Sequence, residues 1–325
     1  MSNEPATPNG PAPAAPTAGG APRQAPLSRQ EVDARLVISM LCITALIGFN
    51  ATTIRLLVQG MSPIMGLTLR GLMGLVPLTL YGWWRRERVR FRGWPALHLF
   101  ISSLFFAAEF ILMYVGARFT TAGRIAIFIN TAPFFTALGA HYLLRGDRLH
   151  LWKVLGLLLA FCGVVVLFSE DLFVQRAGLW RGDLLVIGGA ISWAALTLYI
   201  KRFLSVDHSG FQALYPQIVI STAVFYLFSL LLEPDPFFAF GWDSVGLLAF
   251  QAIFLVNVTY LVFIGLLRHY PASAVISFTL LSPFWGVASG ILFLGEGLSV
   301  LLVLGFAMVT GGLYLVNRPR PSRPA

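Results

Sequence analysis

In the run "FFAAEFILMYVGA", residues 105–117, a single acid, Glu109, stands among apolar neighbours. A carboxyl group at the centre of a bilayer costs about 2.5 to 3.5 kcal/mol on insertion scales, so it needs a partner or a purpose. Arg70, in "GLTLRGLMGL", is the candidate partner. Two roles are open to Glu109: a working acid that takes up a proton or holds a substrate amine, or a counter-ion of Arg70 that locks two helices. Asn50, Asn130, Trp193, Asn257, Thr279 and Trp285 also interrupt apolar stretches. Such amides and hydroxyls either line a solute pathway or bond neighbouring helices, and such rings, with Tyr114 and Tyr260, either wall a ligand cavity or simply pack.

Other chemistries lack their residues. There is no G-x-x-x-x-G-K-[ST] loop to cradle ATP phosphates. His98, His141, His150, His208 and His269 never fall in metal-ligand spacing, and no Ser/His/Asp set can be assigned. No cofactor and no metal is expected. Cys42 and Cys162 lie inside apolar runs, where a buried structural role is expected. The rival reading is an intramembrane enzyme or lipid-modifying protein using Glu109 as acid or base, but a catalyst needs a nucleophile, a metal set or an acid–base pair, and Glu109 is alone.

The elements that position these residues are membrane helices. Of 325 residues 57% are hydrophobic and 11% charged, with mean hydropathy +0.77, outside the range of soluble domains. The expected fold is all-α, a polytopic membrane protein with ten transmembrane helices near 36–57, 63–84, 95–117, 121–144, 151–169, 182–200, 211–232, 244–266, 271–294 and 299–316. Between the fifth and sixth, "SEDLFVQRAGLWRGD" reads as a loop or a short interfacial helix. Residues 1–34, rich in Ala, Pro and Gly, read as a disordered tail. The net charge of +9 is spread over brief clusters between apolar runs, which argues against nucleic acid as a partner. With a cytoplasmic N-terminus, 17 basic residues fall on the cytoplasmic side and five opposite, so the positive-inside bias places both termini in the cytoplasm. Trp83, Trp84 and Trp94 read as interfacial anchors, and Arg124 as a side chain that attracts anions at the outer mouth or snorkels to the surface.

The chain also resembles itself. Gly116 matches Gly265, Asp147 matches Glu296, Gly156 matches Gly305 and Gly163 matches Gly312 at an offset of 149, while Pro133 matches Pro283 at 150. That offset spans five helices, an odd number, so the second copy enters the membrane from the opposite side: two inverted five-helix repeats, a plan that recurs in secondary transporters. The expected division is a tail 1–34, repeats 35–170 and 171–317, and a short basic tail 318–325. Offset 149 carries Glu109 onto Val258, beside Asn257, and superposes Asn130 on Thr279 just before the prolines. Pro133 and Pro283 each remove a helix hydrogen bond and so read as kinks that free carbonyls one turn upstream. Glu109, about eight residues from the outer end of the third helix, is ~12 Å deep at 1.5 Å per residue, and Arg70 on the second helix is equally deep.

In "NTAPFF…LLRGDRL…GLLLAFCGVVVLF" and "LLSPFW…LFLGEGL…GFAMVTGGLYLV" the chain resembles the drug/metabolite transporter superfamily, specifically its EamA-type members, over residues 36–316. It departs from the usual pattern in having Asp147 where the family usually has Glu, a difference expected to be without consequence because both are turn acids at the membrane boundary. The resemblance implies a ten-helix fold whose central cavity is lined by helices one, three and four and their partners six, eight and nine. Its members move amino acids, nucleotide-linked metabolites, vitamins and drugs. The expected function is a secondary transporter of a small organic metabolite in an inner membrane, working by alternating access, with export favoured by the resemblance alone. Its partners would be the small-molecule substrate, membrane lipid, and a coupling proton or counter-solute. Nothing in the sequence specifies an oligomeric state.

Overall fold

The computed structural model describes residues 33–57, 60–87, 94–144, 146–173, 178–204, 208–294 and 300–318. Among them the chain is helical apart from connectors and one isolated bridge, Met61 to Phe237. The helices are α1 (Ala34–Leu57), α2 (Pro63–Trp84), α3 (Trp94–Ala117), α4 (Ala122–Ile129), α5 (Ala132–Leu143), α6 (Leu151–Leu167), α7 (Ser169–Leu172), α8 (Leu179–Tyr199), α9 (Gly210–Leu232), α10 (Trp242–Phe250), α11 (Tyr260–His269), α12 (Ala272–Ser277), α13 (Ser282–Leu294) and α14 (Val300–Asn317). A π-helical turn, Ile200–Leu204, prolongs α8; a longer one, Gln251–Thr259, joins α10 to α11; and a 3-10 turn, Phe278–Leu281, joins α12 to α13.

Seven of the described rods are long and apolar enough to cross a membrane, and Ala34–Asn50 and Leu151–Leu167 are shorter apolar helices. The protein is therefore a polytopic membrane protein. The stretch expected at 121–144 is split in two. Its break falls at Asn130 and Thr131, whose side chains donate back to the carbonyls of Ala126 (2.7 Å) and Phe128 (2.6 Å), and α5 restarts with Pro133 in its first turn. There proline's missing N–H costs nothing. The α12–α13 rod breaks in the same way: Thr279 donates to the Ile276 carbonyl (2.7 Å), Ser282 takes up the Thr279 carbonyl (2.8 Å), and Pro283 opens α13. Both prolines thus sit just after breaks that hydroxyl and amide side chains satisfy. The stretch between α6 and α8 contains the four-residue helix α7.

Helix contacts form a consistent set. α6 packs on α14, α2 on α9, α3 on α8 and α9, α1 on α13, and α8 on α4 and α5. A Cβ built on Gly156 would lie 2.6 Å from the Gly312 carbonyl oxygen, and one on Gly163 2.6 Å from that of Gly305. As one number rises the other falls, so α6 and α14 cross antiparallel, backbone against backbone as small residues allow in membranes. Gly116 against Gly182 and Gly189 against the Glu109 carbonyl do the same for α3 and α8.

One end of the bundle, the near face, holds the start of α1, the ends of α5, α8 and α11, and the start of α12. At the opposite, far face the Glu233 carboxylate accepts the N–H groups of Ile64 and Met65 (both 2.9 Å), capping α2, and the Ser229 hydroxyl (2.8 Å). Backbone bonds from Ser62 to Pro236 and from Ala239 to Gly60 close the same corner. The rims and flanks carry large exposed apolar side chains, Trp83 and Trp84 among them, as a lipid-facing surface requires; of Trp94 only the backbone lies among the described residues. Cys42 and Cys162, expected to be buried, are exposed. In a membrane protein an apolar position serves the lipid-facing surface as well as the core, so an apolar run does not tell one from the other.

Candidate functional site

Glu109 lies on the inward face of α3. Leu99, Ser102, Phe106 and Phe110 are buried along this face while Leu97, Phe100 and Leu104 are exposed on the other, the stripe that a 3.6-residue period produces. Glu109 is 5% exposed, and its Oε2 has no hydrogen-bond partner among the described residues. Arg70 of α2 is buried as well. The expected ion pair between them does not form: the guanidinium sits over the Phe110 ring, 5.0 Å from its centroid. Attraction to a ring face is worth about 2 kcal/mol or more in a desolvated site, so Arg70 is held beside Glu109 without being neutralised by it. The two still act on each other electrostatically, and on Tyr114 and Tyr260.

Aromatic rings surround this pair of charges. Phe106 packs against Phe110 (5.0 Å between centroids) and edge-on against Tyr260 of α11 (5.1 Å), and Phe110 meets Phe225 of α9 (6.1 Å) and Tyr114 (6.5 Å). Tyr114 and Tyr260 belong to the sequence reading; Phe106, Phe110 and Phe225 do not, although Phe106, Phe110 and Tyr114 follow one another at four-residue spacing around Glu109. Among the described residues other buried oxygens also lack partners, Thr222 Oγ1 of α9 and Asn257 Oδ1 of the π-helical segment among them. Asn257 donates its amide to the Gly74 carbonyl of α2 (3.0 Å). Its neighbour Val258, where the repeat offset carries Glu109, is 43% exposed. The π-helical segment shifts the register by about one residue, so Asn257, not Val258, faces inward. A crevice with room for about one water, about 10 Å³, lies at the far face between Ile54, Leu57, Gly66, Leu67, Tyr114 and Gln251. Tyr114 therefore touches both the crevice and the Glu109 cluster.

The remaining sequence candidates are dispersed. Asn50 accepts the Thr53 hydroxyl (3.1 Å), which in turn accepts from Gln251 (3.0 Å), tying α1 to the π-helical segment beside the crevice. Asn130 and Thr279, with Pro133 and Pro283, mark the two helix breaks. Trp193 packs half-buried on Ala132, Ala190 and Ile276, and Trp285, 38% exposed, stands beside Gly48 of α1. Among the described residues none of these seven touches Glu109 in an observed bond.

One expectation is corrected. Arg124 does not reach for the surface: it pairs with Asp183 of α8 through Nη2 and through Nε (3.1 Å), and donates to the Leu172 carbonyl (3.3 Å), while Asp183 also accepts the Thr120 hydroxyl (2.7 Å). Asp147, a turn acid as expected, is held on every side. It is 3% exposed, pairs with Lys153 (2.5 Å) and accepts the backbone N–H (3.0 Å) and hydroxyl (2.5 Å) of Ser273. Burial alone would raise its carboxyl, but the Lys153 ammonium and the Ser273 bonds hold it below the ordinary value of 3.8. Its counterpart Glu296 lies outside the described residues.

A buried, unneutralised acid and base in an aromatic setting can hold a polar solute or a proton inside the membrane, an arrangement suited to carriage. A probable amino-acid metabolite efflux pump of Escherichia coli (strain K12) is 28% identical over 285 residues, covering 85% of this chain and 92% of that protein. The uncharacterized transporter YvbV of Bacillus subtilis (strain 168) is 28% identical, covering 81% and 85%. A solved crystal structure shares the fold with a TM-score of 0.76 at 17% identity, over 87% of this chain and 96% of that one. Residues 35–169 and 180–318 each match one family description, and on that ground the chain belongs to the EamA-like transporter family.

Proposed function

We propose that the protein is a secondary transporter that carries a small organic metabolite, an amino acid, vitamin or drug-like solute, across the inner membrane by alternating access, in the export direction. The observation that carries this reading is the buried Glu109 carboxyl with an oxygen unpartnered among the described residues, beside a buried Arg70 whose guanidinium sits over the Phe110 ring. A group left in that state costs stability, and a ligand or proton that satisfies it accounts for the cost. The printed name of the Escherichia coli relative favours an amino-acid-like solute and export.

Alternating access needs two halves that exchange shapes, and the packing favours that plan. If helices one to five and six to ten are related by a twofold, the contacts α6·α14 and α2·α9 map onto themselves, and α3·α8 maps onto the contact of α1 with the Gln251–Thr259 segment; all are observed. Offset 149 turns the contact of Gly156 with Gly312 into that of Gly305 with Gly163, which is also observed. A twofold that exchanges two antiparallel helices runs perpendicular to them, hence in the membrane plane. Ten spans in inverted halves, with both termini cytoplasmic at the near face, follow from this reading. Glu109 is the coupling or substrate-holding acid, and Asn257 is its amide counterpart.

The test is flux in sealed proteoliposomes, with amino acids, vitamins and cationic drugs as competitors. Saturable movement of chemically unchanged solute is expected, and Glu109→Gln should abolish its dependence on a pH gradient. Gradient dependence that survives the substitution refutes the role of Glu109; absence of any flux under every imposed gradient refutes the carrier.

A further inference from the structure

The only two lysines in the sequence, Lys153 and Lys201, stand among 21 arginines, and both are buried. Both belong to one cluster at the near face. Lys153 pairs with Asp147, which reaches across to Ser273 at the start of α12. Lys201, on the π-helical end of α8, donates to the Leu267 and Tyr270 carbonyls at the end of α11 and feels the charge of Asp147. The Tyr270 hydroxyl donates to Asp33 (2.7 Å), which also caps α1 through the Leu36 N–H (2.9 Å). The chain of bonds thus joins the start of α1 and the α5–α6 connection to the ends of α8 and α11 and the start of α12.

We infer that this cluster is the near gate of the carrier, closed in the present conformation, and that Asp147 is its latch. Three features converge. Its Asp147–Ser273 and Asp33–Tyr270 bonds cross from residues before 170 to residues after it, so the halves cannot part at this face while they hold. The Asp147, Lys153 and Lys201 charges are buried and bonded, which makes the closed arrangement specific; buried ion networks are weak sources of stability but well suited to fixing one of two states. And the crevice toward Tyr114 lies at the other face, where a pathway closed at the near face would open.

The inference rests on alternating access but is read without transport. In a background with Cys42→Ser and Cys162→Ser, two reporters are compared: Ser277→Cys, one turn deeper than Ser273, and Ile54→Cys in the far crevice. Labelling by a membrane-impermeant maleimide from the near side should be slow at position 277, and Asp147→Asn should speed it at least tenfold while slowing position 54 from the far side. Ser273→Ala, which leaves the Asp147–Lys153 pair intact, should give a smaller change of the same sign. Position 277 labelling no faster in either variant, or both reporters speeding together, overturns the gate. Flux by the unaltered protein decides the carrier reading separately.

Discussion

Glu109 and Asp147 are buried to nearly the same degree, 5% and 3% exposed, yet Glu109 leaves an oxygen without a hydrogen bond while Asp147 holds three donors. Glu109 lies mid-helix, where the neighbouring backbone N–H groups are already committed and only a side chain or a ligand can reach it. Asp147 lies in a connection, where a helix start offers a free N–H and a short reach to Lys153. The same side-chain chemistry is therefore a lock where donors are to hand and a site where they are not. Breaking the lock should lower the stability of the closed conformation; altering the site should damage function and leave that stability alone.

The largest effect is expected from Lys153→Met. Removing one partner of a buried pair leaves an uncompensated charge and costs about 3 to 5 kcal/mol, seen as a fall in the detergent unfolding midpoint. The double variant Asp147→Leu with Lys153→Met should recover most of that loss, because apolar residues of similar volume often replace a buried pair at little cost. A double variant no more stable than Lys153→Met would mean that the Ser273 bonds, not the ion pair, carry the latch.

Titrating the lock is a gentler version of the same test. The Asp147 carboxyl is held below 3.8 in the folded protein, so its contribution is fully present above the unfolded value near 4 and is lost as pH falls through the folded one. The Asp33 carboxyl, lowered by the Leu36 N–H and the Tyr270 hydroxyl, acts in the same direction. The unfolding midpoint should thus fall with acid below about pH 4, and Asp147→Asn should flatten that fall. A slope unchanged by Asp147→Asn would assign it to other carboxylates.

For Glu109→Gln the comparison requires the opposite outcome, an unfolding midpoint unchanged or raised by about 1 kcal/mol, since a buried group short of partners is replaced by a less costly one. A loss resembling that of Lys153→Met would show that Glu109 is bonded in the native membrane and would erase the distinction between lock and site.

How far these differences could be read in the sequence depended on what each residue's neighbours were. The helices were legible because apolar runs of bilayer length have few alternatives, and Glu109 because an acid in such a run stands out. The breaks before Pro133 and Pro283 were legible as kinks, but not as interruptions that Asn130, Thr279 and Ser282 satisfy. Partnership was not legible: depth alone matched Arg70 to Glu109, whereas the orientation of α2 carries the guanidinium onto Phe110. Arg124 met Asp183 and Asp147 met Ser273 across 59 and 126 positions of sequence, distances at which spacing carries no signal. The π-helical register that turns Asn257 inward could not be seen in an apolar run whose period changes only once.

The smallest expected effect calibrates the others. After α2, Arg86 adopts φ 52°, the left-handed region, where the Glu87 N–H reaches back to the Gly82 carbonyl (2.9 Å) in the manner of a helix C-terminus that usually ends in glycine. This turn aims the Glu87 carboxylate at the Ser209 hydroxyl, the N-cap of α9. A non-glycine residue there costs about 1 kcal/mol, and glycine's greater freedom in the unfolded chain returns part of it. Arg86→Gly should therefore raise the unfolding midpoint by the equivalent of roughly 0.5 kcal/mol and leave flux unchanged, since it touches neither acid. A fall instead would mean that the exposed arginine contributes more through contacts with lipid or with Glu87 than its backbone loses, and the shifts read at Lys153 and Glu109 would then need a lipid-matched reference.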